Sequence, residues 1–110
     1  MNRPEDKIQY QIVKWLQGEG YWFYSVPNEG AGGNVSRITH LISLGMRKGT
    51  ADLVVCLHGG IGVYLEVKDP IKGTQKKEQK LFQSKLEERD FEYHVVYSVE
   101  DVRGALNGRK

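Results

Sequence analysis

Apolar residues recur at helical spacing near the start of the chain, where Ile8, Ile12, Val13, Trp15 and Leu16 predict a helix over residues 4 to 17. Pro4 falls in its first turn, where a missing N–H costs nothing, and Gly18 to Gly20 end it. Tyr21 to Val26 is aromatic and β-branched and is closed by Pro27-Asn28, the pattern of a short strand. Gly30-Ala31-Gly32-Gly33-Asn34 predicts a loop, after which Ser36 is placed to cap a short helix carrying Ile38, Leu41 and Ile42 and ending at Gly45. The run Leu53-Val54-Val55-Cys56-Leu57 predicts a strand covered on both faces, with Cys56 in the core. Gly59-Gly60 then turns the chain into a return strand from Gly62 to Lys68. A loop and a charged helix with Leu81, Phe82 and Leu86 on one side follow. Alternating Phe91, Tyr93, Val95 and Tyr97 predict another strand, and Ser98 with Asp101 caps a last helix through Leu106. Residues 107 to 110 are expected to fray. The order is α-β-α-β-β-α-β-α, an α/β chain.

This pattern leaves several polar residues in places that need a reason. In the return strand Val63, Leu65 and Val67 point one way, so Tyr64, Glu66 and Lys68 point the other. Residues equidistant from a tight turn face each other, which brings Asp52 opposite position 66 or 67. Two carboxylates that close repel unless a proton or a divalent cation lies between them. On a helical wheel Glu5 falls within about 20° of Ile12 and Leu16, and Gln79 within about 20° of Leu86. An acid and an amide therefore turn inward on the two helices. An E-x-K pair on a strand is commonly a solvated decoration, but these two inward groups argue for a cluster.

Composition narrows the classes. The 110 residues make one domain, 1–110, and the 39% hydrophobic and 27% charged content is that of a soluble globular chain. No apolar run approaches the roughly 18 residues of a membrane span, so no membrane partner is expected. Met1-Asn2-Arg3-Pro4-Glu5-Asp6 lacks the apolar core of a signal peptide and Cys56 has no internal partner, which makes the cytoplasm the expected compartment, a host's if the chain is phage-encoded. Sixteen basic against fourteen acidic residues give only +2, so a nucleic-acid partner has to be argued from where the charges fall. Arg37, Arg47 and Lys48 precede Asp52, while Lys72, Lys76 and Lys77 follow Lys68, and basic residues thus bracket the acids on both sides. These six, with Asn28 on the exit from the first strand, are the candidate nucleic-acid contacts. His40, His58 and His94 have no zinc spacing, and the Gly30 to Gly33 stretch matches neither phosphate-loop pattern, which leaves it as a substrate-side loop.

The blocks Glu5-x-x-Ile8-Gln9, Gly49-Thr50-Ala51-Asp52-Leu53, Glu66-Val67-Lys68 and Gln79 occur in this order on helix, strand, strand and helix. In that arrangement the chain resembles the VRR-NUC domain, the virus-type replication and repair branch of the PD-(D/E)xK nucleases, from Glu5 to about Leu106. Ala51 stands where the superfamily's name places Pro, which alters the turn and removes no ligand. The resemblance implies a restriction-endonuclease-like mixed sheet flanked by helices and a Mg²⁺-dependent DNA endonuclease, with Mn²⁺ as a substitute. The chemistry fits these residues: Asp52, Glu66 and the Val67 carbonyl for the metal, Glu5 for a metal-bound water or second ion, Lys68 for the attacking water or the phosphate, and Gln79 as a positioner. The expected substrate is branched or distorted DNA in replication, repair or recombination, and the expected active form is a homodimer. The alternative is a module of the same fold that binds nucleic acid without cutting it, and the intact Asp52, Glu66 and Lys68 weigh against that.

Overall fold

The computed structural model describes residues 3–27 and 34–110. Asn28 and the glycine loop through Gly33 lie outside the described residues. The elements are α1 (Pro4–Gly18), β1 (Trp22–Ser25), α2 (Val35–Ser43), β2 (Leu53–Leu57), β3 (Ile61–Val67), α3 (Lys77–Glu87), β4 (Glu92–Val96) and α4 (Val99–Leu106), in the expected order. Among the described residues the strands form one sheet in the order β1-β2-β3-β4, antiparallel except for the parallel pair β3/β4. A parallel pair needs a crossover, which α3 supplies. No helix among the described residues is long and apolar enough to cross a membrane.

The β2/β3 register pairs Leu53 with Leu65 and Leu57 with Ile61, which centres the turn on Gly59, with His58 and Gly60 on either side. Both glycines have positive φ, +88° and +76°, which residues with a Cβ adopt at a cost. One face of the sheet carries Leu53, Val55, Val63, Leu65 and Val67 against Ile12 and Leu16 of α1 and Val102 and Leu106 of α4, and this is the core. Each such side chain contributes about 1.5–3 kcal/mol when fully buried. The other face receives α3, whose Phe82 packs on Tyr64 and Tyr93 at ring separations of 6.3 Å.

Four expectations change. α2 is capped by Asn34, whose side chain accepts the Arg37 N–H at 3.0 Å, rather than by Ser36. Its amide lies one residue before the first helical turn, where a side-chain acceptor can reach an unpaired N–H. Cys56 is exposed. It lies opposite Trp22 and Gly62, on a part of the far face that leaves Trp22 69% exposed. The last residues are tied down: Arg109 forks onto Glu92 at 2.9 and 2.6 Å, and the Lys110 carbonyl accepts the His58 N–H at 2.8 Å. Glu5 is half-buried, not at the centre of the core stripe, because it sits in the first turn of α1, where the helix overhangs the cleft described below.

Gly49, in the loop leading to β2, fixes where α3 lands. Its φ is +80°, and an added Cβ would come within 2.7 Å of the Gln79 backbone nitrogen and overlap the Glu78 carbonyl. The start of α3 thus rests directly on glycine. Gly49→Ala should destabilise the protein by about 2 kcal/mol or more, a fall in Tm on the order of 10 °C. Gly59→Ala, at φ +88° with nothing within 4 Å, should cost only the conformational part, about 1 kcal/mol. Equal Tm losses for the two variants would show that the contact with α3 is unimportant.

Candidate active site

The loop into β2 and the end of β3 meet at one end of the sheet. The Asp52 N–H donates to the Leu65 carbonyl at 3.0 Å, and the Asp52 carbonyl accepts the Val26 N–H at 2.9 Å. Its carboxylate, through Oδ2, accepts the Val67 N–H at 2.7 Å. That bond lets an acidic side chain continue the ladder where the β2 backbone has ended. The Lys68 N–H donates the other way, to the Val96 carbonyl on β4 at 2.9 Å. Along a strand the N–H and C=O of one residue share a side, so the Val67 carbonyl faces the Asp52 side.

Glu66 stands next to Asp52 on the face opposite the core and is 1% exposed. Gln79 Nε2 donates to its Oε2 at 3.0 Å, and Tyr93 Oη donates to its Oε1 at 3.2 Å. Lys68 Nζ lies 3.9 Å from Oε2 and is itself buried, so Glu66 and Lys68 are not a solvated decoration. Burial is the main reason the Glu66 carboxyl is pushed up to about 8; Asp52 adds to it as a like charge and hydrogen-bond partner, while Lys68 and Tyr93 oppose it. Burial, with Glu66 beside it, also raises the Tyr93 hydroxyl.

Asp52, Glu66, Lys68 and Gln79 form the floor of an open cleft of about 860 Å³ that Glu5, Gln9, Lys72 and Lys76 also line. A groove of about 510 Å³ that shares Val26, Pro27, Lys76 and Gln79 with it carries Arg47 and Lys48. The structure therefore brings Glu5, Asp52, Glu66, Lys68 and Gln79 to one cleft, with Lys72 and Lys76 on its wall and Arg47 and Lys48 next door. Arg37 and Lys77 are exposed and line neither. Among the described residues no three of the His, Cys, Asp and Glu side chains gather as one cluster, so Glu5 shares the cleft without joining the Asp52 and Glu66 pair. Gln79 reaches Glu66 because its carbonyl oxygen accepts the Lys76 N–H at 2.8 Å, which turns the amide nitrogen inward from the first turn of α3. Tyr93 and Gln75 are the partners that sequence reasoning missed. Alternation on β4 places Tyr93 on this face, but only the parallel β3/β4 register puts its hydroxyl on Glu66.

The donor set suits a hard cation. Two adjacent carboxyl groups, whose mutual repulsion a divalent cation would relieve by displacing the proton, and a backbone carbonyl on the same side are oxygen ligands of the kind that take Mg²⁺ or Mn²⁺.

The Glu66 shift sets a pH dependence for the metal-free protein. A folded pKa of about 8 against 4.5 for an ordinary glutamate means that this group's contribution to stability is complete below about pH 4.5 and lost as pH rises through about 8. Glu92 does not interfere: its hydrogen bonds to Arg109 hold it at about 2, so its contribution is lost only on acidification below about 4.5. Thermal melts in EDTA should show Tm falling between pH 5 and 8.5, and Glu66→Gln should flatten that slope and melt higher than wild type at pH 8. A wild-type Tm that is flat over the window would contradict the protonated pair.

The sequence matches no protein-family model, and no curated protein matches it significantly. Solved structures do. One described as a "VRR_NUC domain protein" superimposes with a TM-score of 0.76 over 97% of this chain and 88% of its own, at 16% identity. Another, a "VRR_NUC domain", gives 0.65 over 96% of both chains at 19% identity. The fold is the one the sequence resemblance implied.

Proposed function

Because the chain carries the VRR_NUC fold, we propose that it is a metal-dependent endonuclease hydrolysing DNA phosphodiester bonds. The observation that supports this most is the pairing of half-buried Asp52 with buried Glu66, beside a buried Lys68, at the floor of an open cleft with a basic wall. A binding module has no use for two adjacent acidic side chains facing a polyanion, because carboxylates repel it.

Asp52, Glu66 and the Val67 carbonyl would hold Mg²⁺, or Mn²⁺ in its place. A bound ion of this kind supplies a hydroxide nucleophile at neutral pH and offsets the charge of the pentavalent transition state. The protein's own groups do the rest. Asp52 spends Oδ2 on the Val67 N–H, which locks its rotamer and leaves its other oxygen for the ion. Gln79 restrains Glu66. Lys68, held against Glu66, directs positive charge at the attacking water or the scissile phosphate. Glu5, which lines the same cleft, would orient a metal-bound water or a second ion. Lys72, Lys76, Arg47 and Lys48 take the flanking phosphates.

The substrate and assembly follow from size. One module of this kind offers a footprint of roughly 600–1,000 Å², little on which to build sequence specificity. Two copies about a two-fold axis would set two sites against two strands, which matches branched or distorted DNA in replication, repair or recombination. The edge strand β1 presents Trp22 and Tyr24, 69% and 47% exposed and packed edge to face at 6.2 Å, as the surface for the second copy.

Asp52→Asn, Glu66→Gln and Lys68→Ala should each lower cleavage by on the order of 100-fold or more while remaining folded. Mg²⁺ and Mn²⁺ should support cutting, Ca²⁺ binding only, and EDTA neither. Folded variants with wild-type turnover, or efficient cleavage in excess EDTA, would remove the assignment. Sedimentation should give about twice the 12.5 kDa chain mass, with forked DNA cut faster than linear duplex. A monomer cutting both equally would remove the dimer and leave the site.

A further inference from the structure

Behind the cleft a directed chain of hydrogen bonds ends on Glu66. Gln75 Nε2 donates to the Tyr93 hydroxyl oxygen at 3.3 Å and to Gln83 Oε1 at 2.8 Å. With its oxygen accepting from Gln75, the Tyr93 hydroxyl has its own hydrogen aimed at Glu66 Oε1, 3.2 Å away. We propose that Tyr93, oriented by Gln75, is a positioning residue that sets the plane of the Glu66 carboxyl group for cation binding.

The terminal torsion of a glutamate is soft, with broad rather than discrete minima. Gln79 donates to Oε2 and Asp52 lies against the same carboxyl group, and the donor on Oε1 is Tyr93. This second donor fixes the remaining rotation. Neither Gln75 nor Tyr93 lines the cleft, so neither is placed to touch the substrate, and both act through Glu66. The role belongs to the hydroxyl rather than the ring: the ring packs on Phe82 at 6.3 Å whether or not it carries oxygen. Gln75 also joins two elements, since it lies in the segment before α3 and bonds to Gln83 within α3. The orientation of Glu66 is thereby tied to the seating of the helix that delivers Gln79.

This inference rests on the metal-dependent nuclease reading, and the test separates the two. Mn²⁺ affinity is measured by electron paramagnetic resonance of the free ion, and steady-state cleavage with Mg²⁺, on the full chain and on Tyr93→Phe, Gln75→Leu and the double variant. Tyr93→Phe should weaken Mn²⁺ binding about 10-fold and lower kcat 10- to 100-fold, with KM for DNA within about twofold. Gln75→Leu should shift both quantities the same way by less, and the double variant should be no worse than Tyr93→Phe, because Gln75 acts through the hydroxyl. Wild-type Mn²⁺ affinity and kcat in Tyr93→Phe would overturn the proposal, as would a rise in KM alone or additive effects in the double variant. A wild-type protein that binds Mn²⁺ but cuts no DNA would refute the nuclease reading, and the affinity comparison would still decide the role of Tyr93. A wild type that binds no Mn²⁺ would overturn both.

Discussion

Asp52 and Glu66 are two carboxyl groups that the hairpin places side by side, one of them sealed from water. Left alone they would repel, and the fold resolves the conflict by holding a proton on Glu66 and surrounding it with Gln79, Tyr93 and Lys68. This is a costly arrangement for a chain of 110 residues, whose total stability is of order 5–15 kcal/mol. Such a cost at one end of a sheet marks a place where stability has been given up for function.

Much of the architecture serves to hold that pair. The two glycines at the hairpin tip fix the register, and the Asp52 carboxylate replaces a backbone acceptor on the Val67 N–H, so the segment that carries the pair is part of the sheet rather than a loop above it. α1 and α4 close the opposite face with an apolar core, so the even-numbered side chains of β3 are forced to the cleft face. α3 is seated on Gly49, and this fixes Gln79 to within the tolerance of a hydrogen bond. A cluster built on strands and a docked helix has its geometry set by the fold itself.

Local pattern carried the parts of this that depend on nearby residues. The Gly59-Gly60 turn predicts that Asp52 meets Glu66, and the helical wheel turns Gln79 inward. The same wheel overstated the burial of Glu5, because it assigns a direction and not the height at which α1 passes the end of the sheet. Contacts between distant segments were not legible. Tyr93 reaches Glu66 across a parallel crossover, and Arg109 reaches Glu92 after the last helix, so neither partner is close in sequence. Cys56 failed for a related reason: an apolar run predicts cover on both faces, but on the far face Cys56 is left exposed where it lies opposite Trp22.

The central claim is that the Asp52 and Glu66 pair is a cation site. The most direct test is a crystal soaked in Mn²⁺ with its anomalous scattering mapped near the metal's absorption edge. The account predicts a peak within coordination distance of Asp52, Glu66 and the Val67 carbonyl, absent in Asp52→Asn crystals treated the same way. A fully soaked wild-type crystal with no peak there, or with its strongest peak on other ligands, would contradict it.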